Sequence, residues 1–371
     1  MGQVFVPARL EMARAARQVS ATAIATEAGV SAAWVSQVEN ARRSPSSELV
    51  RDIARILDFP TEFFYRPVSA TPPSDAFHFR ATSRLAKRDE RRARALAAFA
   101  IELSDWIERS YVAPPPAVPE LQDLLDAETD LPPEQAAEAL RGHWGLGTAP
   151  IKDLLQLLEA KGTKIFSVGG PLQAVDAFSF RHSETPIIFL NVHKSAERLR
   201  FDLAHELGHL VMHGGSLQVA PGKEKEQAAN DFASAFLMPR ADVLGSIRGH
   251  LMLEDILVLK RRWRVSAMAL NLRAHRVGVI SDWTYGTLAR QLSSAGFRRG
   301  EPGSDLRPES SSLLTQVLSD LRAQGSGFAE IARALDLRSG DVRDLMLGLV
   351  TFALEGRASR PSRSRADLRV V

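Results

Sequence analysis

Residues 196–213 read AERLRFDLAHELGHLVMH. Phe201, Leu203, Ala204, Leu207, Leu210 and Val211 recur at helical spacing and make an apolar face that would bury a helix. Inside it stands HELGH: His205, Glu206, Leu207, Gly208 and His209. Residues four apart share one helix face, so both imidazoles can reach one ion, as the short bonds of zinc to nitrogen require. Zinc lowers the pKa of a bound water, and a carboxylate beside the first ligand, here Glu206, can take its proton during attack on a carbonyl. Two histidines alone leave the site incomplete, because a catalytic zinc takes three protein ligands and keeps one open position.

Composition narrows the third ligand. The chain has no cysteine, which excludes disulfides, iron–sulfur clusters, thiolate zinc sites and a cysteine nucleophile. The metal must sit on His, Asp or Glu. The next helix, KEQAANDFASAFLM, offers Glu226 and Asp231, with Glu224 just ahead of it. Its small and apolar residues Ala228, Ala229, Phe232, Ala233 and Phe236 suit close packing, which favours Glu226 at its entry and leaves Glu224 and Asp231 as solvent-facing charges. His213 reads as a capping or surface residue. His275, in NLRAHRVGVIS, is a candidate to reach the site from a later helix and stabilise a tetrahedral intermediate. His78, His143, His182, His193 and His250 read as structural or exposed.

Upstream, the period changes to that of strands in TKIFSV, AVDAFSF and TPIIFLN, residues 163–191. TPIIFLN leads into the metal helix. As an edge strand it would pair with an extended peptide; otherwise it is a plain core strand. The helical patterns PEQAAEALRGHWGLG and PIKDLLQLLEAKG precede the strands, and APPPAVPEL reads as a stiff linker.

At the other end, residues 8–66 read as a packet of short helices. Residues 21–40 have helix-turn-helix spacing: Ile24 and Ala25 face inward, Gly29 makes the turn, and Val30, Val35 and Val38 pack the second helix. Ala32, Ala33, Trp34, Ser36, Gln37 and Asn40 are left to face a major groove. Gln37 suits an adenine edge, the two alanines suit thymine methyls, and Arg42 and Arg43 suit phosphates. A protein-binding helical packet is the alternative. Readers of this kind occupy two half-sites, which makes a homodimer an expectation that no single residue carries.

Charge gives little help. Lys and Arg number 47 against 44 Asp and Glu, so the formal net charge of +3 does not by itself indicate a nucleic-acid partner. Residues 1–66 hold eight Arg and seven acids. The local basic run is Arg84, Lys87, Arg88, Arg91, Arg92 and Arg94, whose helix could add phosphate contacts or be a solvated face. No signal-peptide core and no run of about 18 apolar residues occurs, which predicts a cytoplasmic chain without a membrane partner.

These motifs carry a resemblance over residues 5–350. RLEMARAARQVSATAIATEAGVSAAWVSQVENARRSPS resembles the Xre-type helix-turn-helix of phage-repressor-like regulators. RFDLAHELGHLVMH followed by EQAANDFASAFLMP resembles the ImmA/IrrE metallopeptidase family. In that family the pattern E-x-x-A-N-x-F-A-x-x-x-L-M-P supplies the third zinc ligand, which implies Glu226 here, with His205 and His209 as the other ligands and Glu206 as the catalytic base. The founding peptidases cleave a separate Xre-type repressor. This chain carries a DNA-binding module of its own, so its substrate would be a partner repressor, itself, or none.

The expected fold is mainly α, with a small α+β, zincin-like metallopeptidase domain and an N-terminal five-helix Xre-type helix-turn-helix domain. The expected order is a DNA-binding domain at 1–68, a basic helix and Pro-rich linker at 69–120, the peptidase domain at 121–295, a helical and helix-turn-helix-like unit at 296–355, and a basic flexible tail at 356–371. The expected activity is that of an HExxH-type endopeptidase with one zinc ion per chain, or another divalent metal. Its partners would be double-stranded DNA and an Xre-type repressor under stress or phage control. The competing reading is a transcriptional regulator whose peptidase-like domain senses a ligand or metal without proteolysis.

Overall fold

The computed structural model describes residues 4–69, 87–124, 131–168, 177–213, 222–247 and 249–350. Arg84, the Gly-rich break at 214–221 and the basic tail at 356–371 lie outside them. No helix among the described residues is long and apolar enough to cross a membrane.

The N-terminal unit is built from α1 (Pro7–Arg17), α2 (Ala21–Ala28), α3 (Ala32–Glu39), α4 (Ser47–Leu57) and a 3-10 turn at Thr61–Tyr65 in place of a fifth α-helix. Its helix starts are set by serines: Ser20, Ser31 and Ser46 accept the backbone N–H of Ala23, Trp34 and Leu49. Gly29 ends α2 at φ 66°, a left-handed position that costs glycine little. Ile24, Val35, Val38, Ile53 and Leu57 fill the core.

The basic run lies on a long helix. α5 (Lys87–Ser110) packs along α1, and residues 95–104 are buried all round, as in a helix at the centre of a domain. Phe99 stands 6.0 Å from Phe59 and 5.9 Å from Phe63. Buried Arg9 donates to buried Glu102 at 2.6 Å. α5 is therefore a wall of the N-terminal unit. The Pro-rich segment is docked as well: Ala117 N–H donates to Lys161 O, Arg181 donates to Val118 O, and a Cβ on Gly162 would strike the Pro115 carbonyl.

The central unit runs α6 (Leu121–Leu124), α7 (Pro133–His143), α8 (Leu154–Ala160), β1 (Lys164–Ser167), β2 (Ala177–His182), β3 (Thr185–Leu190), α9 (Ala196–Met212) and α10 (Lys223–Leu237). The sheet order is β1-β3-β2, with β3 parallel to β1 and antiparallel to β2. TPIIFLN is thus the middle strand. Its backbone is already paired on both sides, so it cannot accept a peptide as an edge. β2 packs on α9, and no further strand pairs with it among the described residues.

Four helices follow: α11 (Arg240–Ser246), α12 (Leu253–Trp263), α13 (Ala267–Arg276) and α14 (Asp282–Ser294). The last unit holds α15 (Ser312–Ala323), α16 (Phe328–Leu335) and α17 (Ser339–Met346). α16 and α17 repeat the eight-residue lengths of α2 and α3 around a left-handed turn residue, here Asp336 at φ 53°. Yet α17 meets protein: Asp341 pairs with Arg17 at 2.6 Å, while Asp336 pairs with Arg66 and Arg338 with Asp58. Buried Glu159 of α8 accepts from the N–H groups of Ser312 and Leu313 and from the Ser311 hydroxyl. The C-terminal unit therefore joins the N-terminal unit to the central one.

Candidate metal centre

α9 starts at Ser195, whose hydroxyl accepts the Arg198 N–H, and it runs buried between the sheet and α10. That burial carries His205, Glu206 and His209 inward, to 1, 0 and 3% exposure. Gly208 faces α10. A Cβ there would lie 2.9 Å from Cδ1 of Phe232, so the absence of a side chain lets the two helices close on each other. Glu226, in the first turn of α10, reaches the histidines because of that approach.

The resulting group is compact. His205 Nε2 and His209 Nε2 are 3.1 Å apart. Glu226 Oε2 is 3.4 Å from His205 Nε2, and Oε1 is 3.3 Å from His209 Nε2. The ligand atoms of these three residues all lie within 4.8 Å of one another. Burial opposes the charge on Glu226, but hydrogen bonds from His205 and His209 outweigh it and hold its carboxyl well below the usual range. Burial, and then the neighbouring His209, push the His213 imidazole down. His213 is the C-cap of α9, its N–H donating to His209 O, and it lies half-buried 5.4 Å from the His209 ring.

Glu206 turns toward the sheet. The hydroxyl of Ser179, buried on β2, donates to Glu206 Oε2 at 2.7 Å. Ser179 is a site residue beyond those to which the sequence motifs point. Its signal was the alternation Phe178–Ser179–Phe180, which puts one polar side chain on the face opposite two aromatics. His275 keeps other company: its Nε2 is 2.6 Å from Asp282 Oδ1 and its ring stacks on Tyr285 at 4.7 Å. Of the acids weighed for the third ligand, Asp231 is paired with Arg276 and hydrogen-bonded by Gln227, while Glu224 is exposed.

On α3 and after it, Ala32, Ala33, Ser36, Gln37, Asn40, Arg42 and Arg43 are exposed. Trp34 is half-buried against the core, and the Asn40 amide donates to Ser36 O at 2.7 Å.

Fold and site together describe a metallopeptidase-like domain joined to a helix-turn-helix DNA-binding domain. Residues 158–275 match the family model of the IrrE N-terminal-like domain of the M78 peptidases, and residues 8–62 match that of a helix-turn-helix domain. The chain thus carries an ImmA/IrrE-like peptidase domain behind a DNA-binding domain. No curated protein matches it.

Proposed function

We propose that this chain is a cytoplasmic zinc endopeptidase that binds DNA through α3 and cuts a specific regulatory protein, an Xre-type repressor. The observation that carries the reading is the spacing within His205, His209 and Glu226. A tetrahedral ion with bonds of about 2.0–2.1 Å holds its ligands roughly 3.3 Å apart. The three closest approaches here are 3.1, 3.3 and 3.4 Å. Two neutral imidazoles and one carboxylate are a donor set that suits zinc, and they leave a fourth position open.

Bound there, zinc would supply a Lewis acid for the scissile carbonyl and a water acidic enough to react near neutral pH. Glu206 would serve as the general base, taking a proton from the attacking water on its carboxylate and giving it to the leaving nitrogen. Ser179 orients the carboxylate through Oε2. On the DNA side, Gln37 reads a base edge, Ala32 and Ala33 meet thymine methyls, and Arg42 and Arg43 hold phosphates. Two half-sites would then bring two chains together.

The test is incubation of the zinc-loaded chain with helix-turn-helix repressors. The expected result is a discrete cut, blocked by a chelator and absent in Glu206→Gln although that variant keeps its metal. Cleavage by Glu206→Gln at the wild-type rate overturns the mechanism. One observation favours a second reading, a regulator that senses metal without proteolysis: Arg17–Asp341 and Arg66–Asp336 tie the DNA-binding unit to the rest of the chain. DNA affinity that changes on zinc removal, with no partner cut, would favour it.

A further inference from the structure

We infer that the first turns of α5 belong to the DNA-binding surface, with Lys87, Arg88 and Arg91 contacting the phosphate backbone beside the helix-turn-helix. This rests on reading residues 8–62 as a DNA-binding domain.

Charge on this helix is sorted by position. Residues 87–94 read KRDERRAR. Both acids are engaged: Asp89 accepts from the Gln18 amide at 2.8 Å, and Glu90 pairs with Arg94 at 2.6 Å. Arg92 is half-buried, with Asp344 and Arg17 in its field. Lys87, Arg88 and Arg91 remain, exposed, at spacings that put them on one face, with no ion-pair partner among the described residues. A surface helix that serves only solubility normally intersperses its two signs of charge. Here the two acids of the segment are engaged by Gln18 and Arg94, and the three unpaired cations outnumber the nearby exposed acid, Glu11 of α1.

Position then identifies the partner. Arg88 and Arg91 line one recess with Glu11, Arg14, Gln18, Ser20 and Ala21, three cations to one acid. Ser20 and Ala21 begin α2, the first helix of the helix-turn-helix. Arg14 is held by Glu39, the last residue of α3, at 2.6 and 3.1 Å. Arg88 and Arg91 therefore stand beside the start of α2, with Lys87 on the same face of α5. They move with the helix-turn-helix as one body, because Gln18–Asp89 and Arg9–Glu102 fix α5 to α1. Residues 1–66 alone are nearly neutral, with eight Arg against seven acids. A polyanion gains its sequence-independent attraction from unpaired cations next to the reader, and these three supply it.

The probe is a fluorescein-labelled mixed-sequence duplex of about 30 base pairs, titrated by anisotropy with the full chain over a salt series. Each phosphate contact contributes about 0.9 to the slope of log affinity against log salt, so Arg88→Gln/Arg91→Gln should lower that slope by about 2 and weaken binding several-fold at low salt. Arg109→Gln, an exposed cation at the far end of α5, should change neither. Unaltered melting curves would show that the variants fold. Wild-type affinity and slope in the double variant, or an equal loss in Arg109→Gln, would overturn the inference while leaving the DNA reading intact. Absence of binding by the wild-type chain at any salt would overturn both.

Discussion

Gly208 lies under the ring of Phe232, so close that a β-carbon on the glycine would stand 2.9 Å from Cδ1. That contact sets the separation of α9 from α10 and with it the distance from Glu226 to the two histidines. Gly208→Ala should therefore weaken metal binding at a position that is itself no ligand. Overpacking costs about 1–3 kcal/mol, while alanine in a helix recovers about 1 kcal/mol over glycine, so the melting temperature should fall little. Zinc affinity, measured by competition with a chelating dye, should fall by tenfold or more. Wild-type affinity in this variant would show that the interhelical distance does not set the site.

Ser179 gives a second test, at the base rather than the metal. Its hydroxyl holds Glu206 Oε2 at 2.7 Å in a fully buried setting. Ser179→Ala removes a hydrogen bond to a charged group, for which about 1.5–3 kcal/mol is typical. The cleavage rate should drop roughly ten- to hundredfold, with zinc content and KM unchanged. A fall in zinc content instead would assign Ser179 a structural task.

Glu159 predicts how stability varies with pH. Burial pushes its carboxyl up to about 7, against the opposing hydrogen bonds from Ser311, Leu313 and Ser312. The folded chain therefore holds this proton more tightly than the unfolded chain, whose carboxyl titrates near 4.5. The stability contributed by the neutral form is complete below about pH 4.5 and is lost as pH rises to about 7, by at most about 3 kcal/mol. The melting temperature of the wild-type chain should fall across that window relative to Glu159→Gln. Parallel curves for the two proteins would rule this out.

The parts of this molecule that were legible in the sequence are those governed by local spacing. HELGH declared its own geometry through the helical repeat, and the helix-turn-helix spacing of residues 21–40 showed in Ile24, Gly29 and Val35. The absence of cysteine, together with the small-residue face of α10, pointed to Glu226. Long-range pairing was not legible in the same way. Nothing local to TPIIFLN says that β1 and β2 both pair with it, because a strand buried among aromatics looks alike in the middle and at the edge of a sheet. α5 was legible as a basic helix, but that its second half is buried all round against α1 depends on a partner distant in sequence. Ser179 was hidden because its partner, Glu206, belongs to a different element.

The central claim is that His205, His209 and Glu226 hold one metal ion. Elemental analysis of the purified chain by inductively coupled plasma mass spectrometry tests it most directly. The account predicts one zinc per chain in the wild type and in Glu206→Gln, and almost none in His205→Ala, His209→Ala or Glu226→Ala, with folding preserved in each by circular dichroism. Zinc retained at the wild-type level in those three variants, or a wild-type chain that takes up no metal when zinc is supplied, would contradict it.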